Sequence, residues 1–366
     1  LVICDSGGKI DILSLTRDEL SDEITALGEK KFRAKQIFEW LHVKNVNDFS
    51  QMTNLSAQLR ERLKEKFCLK SLFICKRLES STDNTVKYLY RLADGNHIES
   101  VVMEYSYGNT ICVSTQVGCK MGCRFCASTI AGFRRNLLPS EILQQIYTAQ
   151  RDSGRKISGV VLMGIGEPLD NYDNVVQFLR LLSDPEGFGM SLRHVSVSTC
   201  GLVPRIYELA ELGLGITLSV SLHAPDDESR SAIMPVNDRY GVSELMDACH
   251  FYFKKTGRRI SFEYALINGH NDTKADAEKL ARLLGGFVCH VNIIPVNKIK
   301  ERGYTSDRKS AQRFRKYLED FGINATVRRT LGADIEAACG QLRREYEETS
   351  ETNWQPDNGQ MIKDGD

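Results

Sequence analysis

The sequence predicts an α/β fold: a full or partial parallel barrel with a small helical domain in front of it. Three observations predict this. From about residue 110 onward, short β-branched runs alternate with amphipathic stretches, the pattern of strand–helix units joined in parallel. Six or so such units follow one another with no Gly-x-Gly-x-x-Gly after the first strand, which favours a barrel over a dinucleotide-binding sheet. Polar and thiol residues recur just after the strand candidates, where parallel barrels carry their chemistry.

Taken in order, Thr16 and the acidic turn behind it open a helix over 16–24. Phe32, Ile37, Phe38 and Leu41 mark a second over 30–42, and a third follows over 56–66. Residues 1–70 are therefore expected to be an N-terminal helical accessory domain. Its Lys30, Lys31, Arg33, Lys35, Arg60, Arg62, Lys64 and Lys66 fit either solvated helix faces or an RNA contact. Strands at 72–79, 86–92 and 97–104, with Asp94 and Gly95 as a hairpin turn, make 71–110 a β extension leading into the barrel. The barrel itself is expected over 111–342. Its strands fall at 111–115, 158–163, 194–198, 216–221, 260–266, 290–295 and 324–328. Its helices fall near 139–152, 172–183, 204–212, 242–256, 274–284 and 308–321, with Ser140 and Ser243 as helix-start signals.

The 366 residues are 42% hydrophobic and 26% charged, ordinary values that exclude disorder, collagen and coiled coil. No run approaches the roughly 18 uncharged apolar residues of a membrane span. No basic-then-apolar leader opens the chain, so a cytoplasmic protein with no membrane partner is expected. Because the sequence begins at Leu1 rather than Met, a few residues are expected to precede it. Lys plus Arg and Asp plus Glu both number 48, yet the balance is uneven. Residues 345–366 hold seven acidic residues against Lys363, a net −6 that leaves +6 on the remainder. An acidic, disordered tail over 343–366 behind a modestly basic body is the expectation. The eleven cysteines, an odd number, argue against a disulfide scaffold and for metal or thiol chemistry.

Cys119, Cys123 and Cys126 form a C-x3-C-x2-C loop after the first barrel strand. Three thiolates on one short loop can hold three irons of a [4Fe–4S] cube, whereas tetrahedral zinc and ordinary ferredoxin clusters take a fourth protein ligand. A Cys3His zinc site is the competing reading, but the nearest downstream histidine is His194. The iron left open can chelate the amino and carboxylate groups of S-adenosylmethionine, and one-electron reduction there yields a 5′-deoxyadenosyl radical. After the second strand, Gly164 and Gly166 permit close backbone approach and Glu167 can pair with an ammonium, although a tight turn with a solvated Glu reads the same way. Ser198, Ser221, Leu222, His223 and Asn297 follow later strands, where each alone also fits a strand-end cap or a structural side chain.

The loop, with Phe125 before its last cysteine, and the run Gly164-Ile165-Gly166-Glu167-Pro168 resemble the radical S-adenosylmethionine enzymes. The segments Cys112-Val113-Ser114-Thr115-Gln116-Val117-Gly118-Cys119 and Asp334-Ile335-Glu336-Ala337-Ala338-Cys339-Gly340-Gln341-Leu342 resemble, more narrowly, the RlmN/Cfr group of that superfamily. This resemblance runs from about residue 86 to 342, is weaker over the N-terminal helices and does not cover the tail. It implies a partial (β/α)6 radical S-adenosylmethionine barrel and methylation of an adenosine in 23S rRNA. In the housekeeping branch C2 is methylated, in tRNA next to the anticodon as well, and the runs around Phe262-Glu263-Tyr264 and Val291 to Asn297 look more like that branch than like the C8-methylating one. The resemblance also implies that Gly166, Glu167, Ser198, Ser221, Leu222, His223 and Asn297 contact S-adenosylmethionine. It further implies that Cys339 carries the methyl group, that Cys112 resolves the enzyme–RNA link as a Cys112–Cys339 disulfide, and that Glu99 accepts the ring proton. A flavodoxin or ferredoxin system is expected as electron donor and a monomer as the working form.

Other classes compete. An iron–sulfur electron carrier would need a fourth cysteine ligand near the loop and have no use for Glu167 or Cys339, and a zinc-stapled RNA-binding module would be colourless and hold zinc. Another radical enzyme, a thiolation or peptide-modifying one, would usually add a cysteine-rich domain. Glu99 by itself fits an exposed strand carboxylate. Cys4, Cys68, Cys75, Cys249 and Cys289 are expected to be inert thiols, while Cys200 stays open. Of the basic pairs at Arg134–Arg135, Lys254–Lys255 with Arg258–Arg259, Lys298, Lys300 and Arg302, Arg308–Lys309, Arg313 with Arg315–Lys316, and Arg328–Arg329, several follow strands and are expected to put positive charge for RNA on the cysteines' side of the barrel, although single pairs also fit solvated faces. An extruded or looped-out base is the reachable target.

Overall fold

The computed structural model describes residues 8–296 and 303–335 together with 342, 343 and 346. Helices Arg17–Ala26 (α1), Lys31–His42 (α2) and Ala57–Lys66 (α3) form the front of the chain. Thr16 starts α1 through a capping box with Glu19, and Ser56 caps α3. Their apolar residues Leu20, Ile24, Ile37, Phe38, Leu41, Leu59 and Leu63 are buried in the same core that runs on through the barrel. Much of the basic charge here is already paired: Lys35 with Glu186, Arg62 with Glu29, Lys64 with Glu61 and Lys66 with Glu23. Cys68, expected to be an inert thiol, is disulfide-bonded.

Ten strands make one sheet in strict chain order. They are Phe73–Glu79 (β1), Val86–Arg91 (β2), His97–Tyr105 (β3), Gly108–Cys112 (β4), Ile157–Leu162 (β5), Val195–Thr199 (β6), Thr217–Ser221 (β7), Ile260–Leu266 (β8), Cys289–Pro295 (β9) and Ala325–Val327 (β10). β1 to β4 pair antiparallel and β4 to β10 pair parallel. The β extension is thus continuous with the barrel strands, and β10 and β1 lie at opposite edges of the sheet, leaving the barrel partial.

Helices Pro139–Ser153 (α4), Tyr172–Ser183 (α5), Val203–Glu211 (α6), Asp227–Ser231 (α7), Val242–Thr256 (α8), Lys274–Leu284 (α9) and Arg308–Asp320 (α10) connect the parallel strands. The short α7 has no counterpart in the sequence reading, because five residues carry too little periodicity to register. Side chains alternate between the two faces of a strand. One face packs into the core, where Val160 and Leu162, Val195 and Val197, Leu218 and Val220, and Val291 and Ile293 are all buried, while Val161, Ser196, Ser198, Thr217 and Asn292 on the other are only partly so.

The helix-start signals differ from expectation. α4 begins at Pro139 behind Leu138, and α8 begins behind Gly241. Ser140 instead lies inside the first turn of α4, donating its Oγ hydrogen to Asp11 while its backbone N–H donates to Ser14 Oγ at 3.1 Å. Asp11 and Ser140 are fully buried, so this polar knot locks the N-terminal segment onto the barrel. Burial pushes the Asp11 carboxyl above its usual range, opposed by hydrogen bonds from Ser140 and Ser14. Ser140→Ala removes a hydrogen bond from a buried carboxylate and should cost about 1–3 kcal/mol of unfolding free energy, measurable by urea titration.

Candidate active site

The sequence brings the site together at the C-terminal ends of β4 to β9. Beyond β4 the chain continues alongside the segment after β5. The N–H groups of Thr115 and Gln116 both donate to Ile165 O (2.9 and 3.1 Å), and Gly164 N–H donates to Val113 O at 3.1 Å. Gln116 Oε1 accepts the Glu167 N–H at 2.8 Å. A Cβ on Gly164 would lie 2.6 Å from Val113 O, and one on Gly166, whose φ is +109°, would lie 2.6 Å from Gln116 Cβ. The two glycines are therefore required by approach to the chain's own backbone.

This seam sets the cysteine loop opposite Glu167 across a cavity of about 290 Å³. Cys119, Cys123 and Cys126 line it together with Gly164, Gly166, Glu167, Ser198, Cys200, Ser221 and His223. The loop is closed at Gly118 (φ +78°), where a Cβ would collide with Gly132 O, and Thr129 Oγ1 binds the Cys126 carbonyl at 2.9 Å. Glu167 is buried. Its Oε2 accepts the Cys200 N–H at 2.8 Å and its Oε1 the Leu169 N–H at 3.0 Å, while burial pushes its carboxyl above the usual range.

His223 is held in an unusual backbone state, with φ at +58°. Its Nδ1 accepts the Ala265 N–H at 2.8 Å and its carbonyl accepts Asn271 Nδ2 at 2.8 Å. The neutral ring therefore carries its proton on Nε2. Burial, with Arg230 nearby, brings its pKa down to about 3. Phe125 packs edge-on against it with ring centroids 4.7 Å apart.

The thiols fit an iron–sulfur cluster. Burial pushes Cys119 up to about 12 and raises Cys123 as well, so bare thiols here stay protonated at neutral pH. A coordinating metal is what turns such buried thiols into thiolates.

The remaining candidates divide. Leu222 buries its side chain in the core and does not line the cavity. Cys112, at the end of β4, packs with Val101, Met103, Val161, Met163 and Leu331, and Met163 reaches the cavity wall. Glu99 on β3 is 1% exposed, not the exposed strand carboxylate that its position alone allows. Its Oε2 lies 3.3 Å from Lys87 Nζ, itself buried, and its Oε1 accepts the Arg343 N–H at 2.6 Å. Asn297 and Cys339 lie outside the described residues. The chain on either side of Cys339 is tied to the β extension, by Arg343 to Glu99 and by Asp334 to Ser80 Oγ (2.7 Å) and Ser81 N–H (2.9 Å).

Glu263 also lines the cavity, where sequence reasoning had not placed it. It is buried on β8 and bound by Asn292 Nδ2 at 2.7 Å; an acid inside an apolar strand was the available signal. Arg328, which follows β10, lines the cavity on the cysteines' side. The other basic pairs are scattered. Arg258 and Arg259 precede β8, at the end of the sheet away from the cavity, and Arg135 is bound to Asp94 and Glu141. Lys298, Lys300 and Arg302 lie outside the described residues.

Residues 10–69 match the ribosomal RNA large subunit methyltransferase N-terminal domain, and residues 113–284 match the radical SAM superfamily. The chain is 55% identical to a protein of Lachnoclostridium phytofermentans named "probable dual-specificity RNA methyltransferase RlmN", over 92% of this chain and 95% of that one. A namesake from Clostridioides difficile is 50% identical over 92% of this chain and 98% of its own. The crystal structure of a radical SAM methyltransferase from Sphaerobacter thermophilus superimposes with a TM-score of 0.87 at 42% identity, covering 91% of this chain and 98% of that one. With relatives this similar along nearly its whole length, the chain belongs to the RlmN family of radical S-adenosylmethionine RNA methyltransferases.

Proposed function

We propose that this chain methylates C2 of an adenosine in 23S rRNA and of the adenosine next to the anticodon in tRNAs. The observation that carries the reading is the single cavity joining Cys119, Cys123 and Cys126 to Glu167, in a chain whose relatives bear the name dual-specificity RNA methyltransferase. When bound there, a [4Fe–4S] cluster with one open iron supplies the electron that cleaves S-adenosylmethionine to a carbon radical able to abstract hydrogen.

The chain's own residues do the rest. Glu167 pairs with the methionine ammonium, while Ser198, Ser221, the His223 Nε2–H and Asn297 supply hydrogen bonds to the cofactor, and the Gly166 backbone completes its cradle. Cys339 carries the methyl carbon to the base. Glu99, with Lys87 as counter-charge, takes the ring proton. Once the adduct has lost that proton and its unpaired electron, the Cys112 thiolate attacks the Cys339 sulfur: the disulfide forms as the carbon–sulfur bond breaks, the electron pair stays on the carbon, which takes up a proton to become the methyl group, and two electrons from the donor later reduce the Cys112–Cys339 disulfide. Adenine C2 is electron-poor, so radical addition reaches it where polar methylation does not. Arg328 at the cavity and the unpaired basic residues of the helical domain over 1–70 offer positive charge to RNA. The protein acts in the cytoplasm as a monomer, with a flavodoxin or ferredoxin as donor. Among the described residues no helix is long and apolar enough to cross a membrane.

Anaerobically reconstituted protein should convert adenosine to 2-methyladenosine in both RNAs, read by nucleoside mass spectrometry. Finding 8-methyladenosine instead would refute the regiochemistry. Cys339→Ala should still cleave S-adenosylmethionine but transfer no methyl group to RNA, and retained transfer would remove the covalent scheme. Glu167→Gln gives up a charged hydrogen bond worth about 1.5–3 kcal/mol, so S-adenosylmethionine should bind roughly 10- to 150-fold more weakly to the reconstituted enzyme in calorimetry.

A further inference from the structure

Arg230, on α7, is fully buried, the largest side chain among the described residues to be so. Its guanidinium makes four hydrogen bonds, all to uncharged oxygens. Nε donates to Leu222 O (3.1 Å), Nη1 to Asn237 Oδ1 (3.0 Å), and Nη2 to Cys200 O (2.6 Å) and Ser221 O (3.1 Å). Among the described residues no carboxylate forms an ion pair with it. The acids on its own helix, Asp227 and Glu228, are both exposed, and Asp227 Oδ1 is taken by the Val242 N–H and Asn237 Nδ2. Glu167 is reached only indirectly, through Cys200, whose N–H binds Glu167 and whose carbonyl binds Arg230.

A buried cation satisfied in hydrogen bonds but not in charge is costly unless an anion balances it. The surroundings point to where that anion belongs. The turn that Arg230 begins grips the cysteine loop: Met234 N–H donates to Arg230 O at 2.7 Å, and Arg124 N–H donates to Ile233 O at 2.9 Å. Ile233, Met234 and Val236 form one apolar cluster with Cys123 and Cys200, against which Cys126 and Phe125 pack. Apolar packing around a charge keeps the local dielectric low and its field long-ranged.

We propose that Arg230 is the counter-charge of the iron–sulfur cluster, raising the potential at which that cluster accepts its electron. A cube on three thiolates is net negative, and more so by one unit after reduction, so a fixed positive charge behind Cys123 favours the reduced form over the oxidised one. Net charge and burial are among the terms that set such potentials. Arg230 touches no reacting atom and acts as a positioning residue for charge, while its fork to Cys200, Ser221 and Leu222 aligns the ends of β6 and β7. The inference rests on the cluster reading of the three cysteines.

The test is an anaerobic redox titration of reconstituted full-length protein followed by electron paramagnetic resonance, with iron and sulfide content measured on each sample. Wild-type protein without a cluster would refute the underlying reading. With a cluster present, Arg230→Gln should lower the reduced-to-oxidised ratio at the wild-type midpoint at least tenfold, about 59 mV for a one-electron couple. Arg230→Lys, which keeps the charge and loses the fork, should stay within threefold of wild type. An unchanged midpoint in Arg230→Gln would overturn the inference and leave the cluster reading intact. If Arg230→Gln does not retain a cluster, Arg230→Lys decides. Retention near the wild-type midpoint supports a role for charge, and loss of the cluster or a matching fall in midpoint shows that Arg230 is only a clamp on the carbonyls.

Discussion

The seam between the segments after β4 and after β5 is the constraint on which the site depends. Thr115, Gln116 and Gly164 use their backbone N–H groups to extend a parallel pairing past the ends of the strands, and Gln116 adds its side chain to the Glu167 N–H. Two backbones can lie this close only because residues 164 and 166 have no Cβ. The cysteine loop leaves one side of the seam and Glu167 the other, so the distance between the three thiols and this carboxyl is set by main-chain hydrogen bonds. Short main-chain spacing of this kind is more rigid than any arrangement of long side chains.

Around that seam the molecule buries charge in three ways. Glu99 and Lys87 neutralise each other inside the β extension, and Glu99 also holds the Arg343 N–H. Glu167 is buried, held by the Cys200 and Leu169 N–H groups and by the Thr199 and Cys200 side chains. Arg230 is buried with only carbonyl and amide oxygens as hydrogen-bond partners. The two charges lie on either side of the Cys200 main chain, and each in the low-dielectric interior is costly until a partner of opposite charge arrives.

Much of this was legible in the sequence. The periodic runs over 172–183, 242–256, 260–266 and 274–284 coincide with elements of the structure, because amphipathic helices and doubly buried strands leave strong local patterns. The C-x3-C-x2-C loop and the Gly164 to Glu167 run were visible as motifs because their function needs fixed residue types at fixed spacing. Ser140 was misread as a helix start because a serine's local signal is a cap, whereas its partner, Asp11, comes from 129 residues away. Arg230 escaped for the same reason: nothing near it in the chain says that it is buried.

The sequence by itself determined the order of strands and helices, the cysteine spacing and the family to which the chain belongs, all of which are written in local pattern. Only the tertiary structure decided that the β extension joins the barrel in one sheet. It alone placed Glu99 on a buried lysine beside the chain that leads back from Cys339, and set a buried arginine behind the cysteine loop. Those facts depend on which distant segments meet, and burial and charge balance are properties of the meeting rather than of either segment.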